Sequence, residues 1–249
     1  MTRRRALCAL QRGCRSLASG PAQGPSASVP LTVAAFGVWG ANTGVGKTLL
    51  SAALVAAQVS AARSGALFLK PLQTGFPSDS DAQLVAAAAA RASGAGDVIH
   101  STGHHAAVAA AAGGARPVWV SHLGGGGASV RCRTLFAWTA AVGPHAAVEL
   151  EGRGVTDTAV VHAVAEELNG WTGGVGTLLA LVEGAGGVAS PGPSGALQCD
   201  VYRRLRLPAV LVGDGRLGCV LHTSVLPLAA SDPLLLPAIQ RHLSHGVRL

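Results

Sequence analysis

Short apolar runs alternate along this chain with helical patterns and glycine-rich turns. The stretch from Leu31 to Trp39 is almost continuously apolar and is bounded by Pro30 and Gly40. Such a run is typical of a strand that is buried on both faces of a parallel sheet. Three later runs have the same character: Ala66–Leu69, Thr177–Val182 and Pro208–Gly213. The second of these runs ends directly at a glutamate.

Helical periodicity lies between these runs. Thr48–Arg63 places apolar residues at helical spacing among good helix formers, and Asp157–Leu168 has the same period. We also expect Thr134–Ala141 to open a helix, and a further helix to follow the turn at Asp214–Gly218. Strands that alternate with helices predict an α/β fold, a single-domain doubly wound parallel sheet with flanking helices. Ligands of such folds bind at the carboxyl ends of the strands.

The middle of the chain gives less information. Alanine and glycine dominate Ala82–Val130, which includes an alanine run that begins at Ala86 and the glycines Gly124–Gly127. Low complexity of this kind specifies few positions. We expect one helix followed by a variable, partly mobile insertion at about residues 83–130.

Positive charge is concentrated near the start. The formal net charge is +7. Five of these positive charges come from arginines in the first 28 residues, which are Arg3, Arg4, Arg5, Arg12 and Arg15, and this leaves +2 for the rest of the chain. No acidic residue occurs from Met1 to Ser78. This composition predicts a transit peptide over residues 1–28, most like a mitochondrial one, with a disordered basic tail as the alternative. We therefore expect the mitochondrial matrix after removal of the leader, with the plastid or the cytosol as alternatives.

Composition excludes several classes of protein. No apolar run approaches the ~20 residues of a membrane span, so we expect no membrane association. The basic charge belongs mainly to the leader, and no nucleic-acid partner is expected. The five cysteines form no CxxC pair, which argues for a reducing compartment without a disulfide framework or a structural zinc site.

Lysine is scarce, and both lysines lie in short motifs. The chain has two lysines, Lys47 in GANTGVGKT and Lys70 at the start of KPLQTG, against seventeen arginines. A lysine ammonium is a compact point charge on a flexible stem, which can follow a phosphate or a forming intermediate. Both lysines are therefore candidates for chemistry.

The first motif has the arrangement of a phosphate-binding loop. A strand, a glycine-rich turn and Gly46-Lys47-Thr48 precede a helix, so that backbone N–H groups and Lys47 can surround phosphate oxygens while Thr48 ligates Mg²⁺. Five residues separate Gly40 from Gly46, where the usual pattern has four. Either Gly40 lies outside the loop or the loop belongs to a variant class. The alternative without function is a glycine-rich turn between a strand and a helix.

Few carboxylates are available to hold the magnesium of a nucleotide, since the chain has twelve acidic residues. Asp79 and Asp81 follow Lys70 closely, although Asp-Ser-Asp alone is more typical of a turn or a helix cap. Glu183 is the stronger candidate, because a carboxylate at the end of a buried strand needs a cation.

The second lysine motif leads on from the strand at 66–69. Lys70 at that strand end would lie near the phosphate site, with Thr74 four residues on as a hydroxyl donor. A second cation there can stabilise charge that develops in phosphoryl transfer. Near the other end, Gly213–Gly218 predicts a helix start after a strand, which suits an anion such as a carboxylate.

Five ordered motifs together resemble those of dethiobiotin synthetase, most closely the synthetase part of the bifunctional plant and algal enzyme that also carries a diaminopelargonate aminotransferase: GANTGVGKT, KPLQTGFPSDSD, TLFAW followed by GPHAA and a glutamate, LVEGAGGVASP, and RLPAVLVGDGRLG. The resemblance runs from about Val38 to Thr223, within an expected domain at 31–224. That family has the five-residue spacing in its loop. The resemblance implies a P-loop NTPase-like fold and a homodimer.

The resemblance also implies a reaction, the ATP- and Mg²⁺-dependent closure of a ureido ring on diaminopelargonic acid with CO₂ in biotin biosynthesis. Lys70 takes the place of the catalytic lysine, and the metal ligands are Thr48, Asp81 and Glu183. Thr74, Gly218 and Cys219 take the places of substrate-binding residues. The positions that line the nucleotide are Thr43, Gly44, Val45, Gly46, Lys47, Thr48, Leu49, Asp81, Glu183, Gly184, Ala185 and Gly186.

Two departures from the family stand out. Asn42 occupies a loop position where many bacterial members have aspartate, and Val225–Leu249 does not resemble the family's continuation, in which the adenine is recognised. We therefore expect a truncated product or an imperfect gene model. A partitioning or scaffold ATPase is the first alternative, although such proteins carry an extra lysine early in the loop and Gly40–Val45 contains none. An inactive fragment is the second.

Overall fold

The computed structural model describes residue 31 and residues 35–62, 65–93, 98–102, 119–125, 128–171 and 179–213. The predicted transit peptide, the turn and helix at Asp214–Gly218 and the C-terminal tail lie outside the described residues. Of the helices in the described part, none is long and apolar enough to cross a membrane.

In the part of the chain that the structure describes, seven strands form one sheet in the order β3-β4-β5-β2-β6-β1-β7. Neighbouring strands from β5 to β7 in this order pair in parallel, whereas β3 and β4 add an antiparallel edge. The predicted parallel α/β sheet is thus confirmed in its five-stranded part. The strands are β1 (Ala35–Gly40), β2 (Ala66–Gln73), β3 (Val98–Thr102), β4 (Trp119–Gly125), β5 (Ala128–Ala137), β6 (Leu179–Glu183) and β7 (Ala209–Val212).

Five α-helices among the described residues cover the sheet: α1 (Lys47–Ala62), α2 (Asp81–Ser93), α3 (Pro144–Glu151), α4 (Asp157–Gly170) and α5 (Gln198–Tyr202). Alternate residues of a strand point to opposite faces, so the sheet builds two cores. Phe68 of β2 packs on the side of α1 and α2. Leu67 and Leu69 pack on the side of α3, α4 and α5. The expected doubly wound arrangement, with helices on both faces, follows from this alternation.

Local sequence explains where the helices on the second face begin and end. The Thr156 side chain accepts a hydrogen bond from the backbone N–H of Ala159 and caps α4, which has Asp157 in its first turn. Helix α3 begins at Pro144 and ends at Gly152, which adopts a left-handed conformation. These helices therefore have start and stop signals of their own.

The predicted helix at Thr134–Ala141 is wrong, because its first four residues belong to β5. Thr134, Leu135, Phe136 and Trp138 are fully buried, so consecutive side chains are covered on both faces. Such burial suits an inner strand of a parallel sheet, where β-branched and aromatic residues pack well. A helix does follow, but it begins at Pro144.

Strand β2 continues beyond its predicted end at Leu69 and includes Lys70. Its pairing with β5 extends to Gln73. Pairing with β6 stops earlier, at Leu69 opposite Val182, one residue before β6 ends. Lys70 therefore lies within the strand rather than after it, at the point where the β6 side of β2 becomes free.

The low-complexity stretch contains elements that the sequence did not predict. Besides helix α2, it supplies β3, β4 and the start of β5. Repeated alanine and glycine fit a helix, a strand or a turn nearly equally well, so the pattern could not specify a hairpin here.

Candidate functional site

The loop between β1 and α1 has the backbone of a phosphate-binding loop. Gly44 and Gly46 have φ of +74° and +96°, in the left-handed region that other residues rarely adopt. A Cβ built on either glycine would meet nothing within 4 Å, so this stretch faces open space. The loop therefore offers exposed backbone beside the N-terminus of α1, which favours an anion.

Gly40 is packed into this loop. A Cβ at Gly40 would lie 2.8 Å from Cγ2 of Val45 and 2.9 Å from Cδ of Lys47. Its carbonyl also accepts a hydrogen bond of 2.9 Å from the N–H of Val188, beyond β6. Gly40, the first glycine of the motif with five-residue spacing, thus lets both the loop and the segment after β6 approach the end of β1.

Lys47, the first residue of α1, is folded over the loop and is 6% exposed. Its Nζ donates a hydrogen bond of 3.1 Å to the carbonyl of Asn42. Burial, followed by the charge of Lys70, lowers the pKa of Lys47. Two ammonium groups therefore face the same region, which favours a ligand of high negative charge.

Three elements bring oxygen atoms together beside the loop. Glu183, at the end of β6, is fully buried. Its Oε1 accepts hydrogen bonds from Thr48 Oγ1 and Lys70 Nζ, both 2.9 Å, and its Oε2 accepts one of 2.7 Å from Ser51. Asp81, at the start of α2, accepts one of 3.0 Å from Thr48 and lies 2.6 Å from Lys70 Nζ. The two carboxylates, the hydroxyl of Thr48 and the ammonium of Lys70 thus form one connected group.

Lys70 is held between the two carboxylates and is 4% exposed. Burial alone disfavours its ammonium, but the charges of Glu183 and Asp81 outweigh this and raise the pKa of Lys70. Its Nζ also donates to the carbonyl of Gly184 at 3.2 Å. Lys70 is therefore a charged group at neutral pH that contacts β6, α2 and the segment after β6.

The chemistry of these donors fits a hard cation that is bound together with phosphate. Thr48, Asp81 and Glu183 supply only oxygen atoms, which Mg²⁺ prefers. Among the described residues, no group of three or more His, Cys, Asp or Glu side chains could hold a metal ion. A magnesium ion at this place would thus need oxygen from water and phosphate as well, which is the usual coordination of a nucleotide's magnesium.

The segment after β6 is fixed against its neighbours. A Cβ at Gly184 would lie 2.9 Å from the ring of Trp39. Ala185 exchanges two hydrogen bonds with the buried side chain of Gln198, its N–H donating at 3.0 Å and its carbonyl accepting at 2.7 Å. Gly186 follows at φ +72°. The predicted residues from Glu183 to Gly186 therefore lie beside the loop in a tightly determined backbone.

The other predicted site residues lie around this group or outside the described residues. The N–H of Thr43 is bonded to the side chain of Asn42, 2.8 Å away. Leu49 is 67% exposed, and Thr74 is half-buried just after β2. Gly218 and Cys219 lie outside the described residues.

Sequence reasoning missed three polar residues that fix this site: Ser51, Gln73 and Gln198. Ser51 lies three residues after Thr48, so both face the same side of α1, and this spacing is a signal that could have found it. Gln73 and Gln198 are buried glutamines that bond backbone groups. Nothing in their local sequence distinguishes them from exposed glutamines.

These features define a class of protein: a phosphate-loop nucleotide-binding α/β protein, with the loop after β1 and a carboxylate at the end of the neighbouring strand β6. In agreement, residues 35–102 match the model of a family described as an AAA domain.

Curated proteins with similar sequences indicate a narrower class within the phosphate-loop proteins. The chain is 47% identical to a bifunctional dethiobiotin synthetase/7,8-diamino-pelargonic acid aminotransferase of rice, Oryza sativa subsp. japonica, named as mitochondrial, over 84% of this chain and 27% of the relative. It is 41% identical to the protein of the same name from Arabidopsis thaliana, over 76% of this chain and 26% of that protein.

A shorter relative shows which part is shared. The chain is 33% identical to an ATP-dependent dethiobiotin synthetase of Phenylobacterium zucineum, over 75% of this chain and 65% of that protein. The chain is therefore a homologue of the dethiobiotin synthetases, and it spans about a quarter of the length of the two bifunctional relatives.

Proposed function

We propose that this chain has dethiobiotin synthetase activity, the ATP- and magnesium-dependent closure of a ureido ring on diaminopelargonic acid with CO₂ in biotin biosynthesis. The observation that carries the proposal is that Lys70 contacts Glu183 and Asp81 beside the loop of Lys47. Two cations and two carboxylates at one sheet edge suit a triphosphate, its metal and an anionic intermediate. The activity places the protein among the ATP-dependent cyclo-ligases.

The proposed reaction has three steps. One amine of diaminopelargonic acid adds to CO₂ and loses a proton to give a carbamate. A carbamate oxygen then attacks the γ-phosphorus of ATP, and ADP leaves, which gives a carbamic-phosphoric anhydride. The second amine attacks the carbonyl carbon of the anhydride, loses its proton and expels phosphate, which closes the ring.

The phosphate loop is proposed to bind ATP. Backbone N–H groups of residues 43–49 would surround the phosphates, and Lys47 would neutralise their outer oxygens. Residues 183–186 would line the nucleotide on the other side. The Lys47 ammonium lies over the loop, 3.1 Å from the carbonyl of Asn42, which supports this role.

Thr48, Asp81 and Glu183 would hold the magnesium ion. When bound, magnesium would neutralise charge on the β- and γ-phosphates during phosphoryl transfer. Thr48 Oγ1 lies within 3.0 Å of an oxygen of each carboxylate, which supports a shared role for the three residues.

Lys70 is proposed as the catalytic residue. Its buried ammonium would stabilise negative charge on the carbamate and on the transferring phosphoryl group, in surroundings from which water is largely excluded. The Thr74 hydroxyl would contact the diaminopelargonic acid, and the helix start at Gly218 and Cys219 would receive its carboxylate. We further expect the protein to lie in the mitochondrial matrix.

The test is release of phosphate from Mg·ATP by the full chain, with and without diaminopelargonic acid and bicarbonate. Release that requires both compounds is expected, as is its loss in Lys70→Ala with Mg·ATP binding largely kept. Lys47→Ala should weaken Mg·ATP binding itself. Arg91→Ala, a change at an exposed position on α2, is the control and should behave as the parent chain.

Other outcomes would contradict the proposal. ATP turnover that ignores both compounds would favour a partitioning or scaffold ATPase. A melting temperature that Mg·ATP leaves unchanged would indicate an inactive fragment. Unchanged turnover in Lys70→Ala would remove Lys70 from the mechanism.

A further inference from the structure

Gln73 is a buried amide at the end of β2, and its side chain bonds backbone groups. It is 5% exposed, and its side chain makes three hydrogen bonds. Its Nε2 donates to the carbonyls of Thr74 at 3.0 Å and Asp79 at 2.6 Å, and its Oε1 accepts from the N–H of Asp81 at 3.2 Å. Two of these bonds go to the segment that connects β2 to α2, and the third goes to the first residue of α2.

The backbone of Gln73 is fixed independently of that segment. Gln73 is paired with Ala137 of β5, and its carbonyl accepts a hydrogen bond of 2.9 Å from the N–H of Trp138. The side chain therefore extends from a rigid strand in the middle of the sheet. It can hold both ends of residues 74–81 relative to that strand.

The bond to Asp81 occupies the first N–H of α2, while the usual side-chain cap of this helix is not made. Ser80 stands just before α2 and its carbonyl accepts from the N–H of Leu84, so its hydroxyl would usually cap the helix. Yet Ser80 Oγ is buried and has no hydrogen-bond partner among the described residues. Gln73 Oε1 accepts from the N–H of Asp81, so without Gln73 the first N–H of α2 would lose this partner.

We propose that Gln73 is a positioning residue, which holds the Asp81 carboxylate against Thr48 and Lys70 and ties it to Thr74. The proposal rests on the proposed function, in which Asp81 holds the metal and Thr74 contacts the substrate. One glutamine would thus set the distance between the metal side and the substrate side of the site. Outer partners of metal ligands typically change metal affinity by about 10- to 100-fold.

The first experiment measures positioning without any ligand. Hydrogen–deuterium exchange of the full chain is compared for the parent, Gln73→Met and Gln73→Glu, with Gln83→Met at an exposed position of α2 as the matched control. Methionine has a similar length but makes none of the three bonds, so residues 74–81 should exchange faster. Glutamate keeps an oxygen that can accept from the Asp81 N–H, but its other oxygen takes the place of the amide near the carbonyls of Thr74 and Asp79. The faster exchange should therefore be confined to residues 74–79.

The second experiment measures the metal-dependent part of nucleotide binding. A fluorescent ATP analogue is titrated in EDTA and in Mg²⁺. In Gln73→Met the affinity in EDTA should stay within about twofold of the parent, because the phosphate loop is untouched. The gain in affinity that Mg²⁺ gives should fall by about tenfold or more. If Gln73→Met only destabilised the fold, the gain in affinity that Mg²⁺ gives would stay unchanged.

Two results would overturn the proposal: unchanged exchange at residues 74–81 in both Gln73 variants, or a full Mg²⁺ gain in Gln73→Met. A parent chain that binds the analogue equally with and without Mg²⁺ would contradict the proposed function and the metal part of this inference together. The exchange data would still decide whether Gln73 holds Asp81.

Discussion

At the scale of single residues, Glu183 illustrates how the site is built. Both of its oxygens are occupied, Oε1 by Thr48 and Lys70 and Oε2 by Ser51. A buried carboxylate is stable only with such partners, because burial without them strongly disfavours its charge. The bond to Ser51 fixes one oxygen and so determines where the other one points.

Ser51→Ala should therefore both destabilise the fold and weaken metal binding. Loss of a hydrogen bond to a buried charged group should lower the free energy of unfolding by about 1.5–3 kcal/mol. The Mg²⁺ dependence of ATP binding should shift to higher Mg²⁺ concentration. Urea unfolding and a Mg²⁺ titration measure the two effects. Ser60→Ala is the matched control, since Ser60 lies exposed on the same helix; equal behaviour of both variants would refute the role of Ser51.

Lys70→Met should destabilise the fold, because Lys70 prevents repulsion between the carboxylates of Asp81 and Glu183. Without the ammonium, Asp81 and Glu183 lose their shared cation, and breaking such a buried pair typically costs about 3–5 kcal/mol. We expect a large decrease in unfolding free energy, and a greater rise of the melting temperature on addition of Mg²⁺ than in the parent chain. A variant as stable as its parent, or one indifferent to Mg²⁺, would show that Lys70 does not balance these carboxylates.

At the scale of elements, the site depends on the close approach of β1 and the segment after β6. The ring of Trp39 in β1 lies directly against the backbone of Gly184, which carries the carbonyl that Lys70 contacts. Any side chain at Gly184 would push these two elements apart.

Gly184→Ala should thus be unfavourable although the change is small. A Cβ 2.9 Å from the Trp39 ring forces a shift, and overpacking of this kind typically costs about 1–3 kcal/mol. Nucleotide affinity should fall as well, because the shift moves Glu183. Gly170→Ala, at the end of α4 where an added Cβ meets nothing within 4 Å, is the control and should stay within about 0.5 kcal/mol of the parent. If the two alanine variants are equally stable, the contact with Trp39 does not constrain the loop.

The sequence predicted these elements unevenly, for physical reasons. Buried strands such as β6 and the phosphate loop have strong local patterns. Thr134–Ala141 was misassigned because a fully buried strand and a short buried helix segment are both continuously apolar, and periodicity cannot separate them. The end of β2 was missed because Pro71 and the polar residues around it mask a strand whose pairing with β5 continues to Gln73.

At the scale of the molecule, the order of the strands explains how distant residues meet. Strands β2, β6 and β1 are neighbours in the sheet and run in parallel, so their carboxyl ends share one edge. This edge carries Lys70, Glu183 and the loop of Lys47. The sequence predicted that the motifs follow or lie near strands, and hence a shared edge. It did not give the order of the strands or the hydrogen bonds of Ser51 and Gln73, since these depend on packing between segments far apart in the chain.

The whole fold should gain stability from the ligand that this edge is proposed to bind. A ligand that binds only the folded state stabilises it by about 2.7 kcal/mol at a hundredfold excess over its dissociation constant. We therefore expect Mg·ATP to raise the melting temperature of the parent chain, and to raise that of Lys47→Ala much less at the same concentration. Differential scanning calorimetry measures both, and an equal rise would place the phosphates away from Lys47.

The most direct test of a single triphosphate and metal site is a calorimetric titration of the chain with ATP in Mg²⁺ and in EDTA, repeated with Glu183→Gln. We predict that Mg²⁺ increases the affinity of the parent chain by about tenfold or more, and that Glu183→Gln loses most of this gain but keeps its affinity in EDTA. Equal affinity of the parent chain in both conditions, or a full Mg²⁺ gain in Glu183→Gln, would contradict a shared site for the triphosphate and the metal.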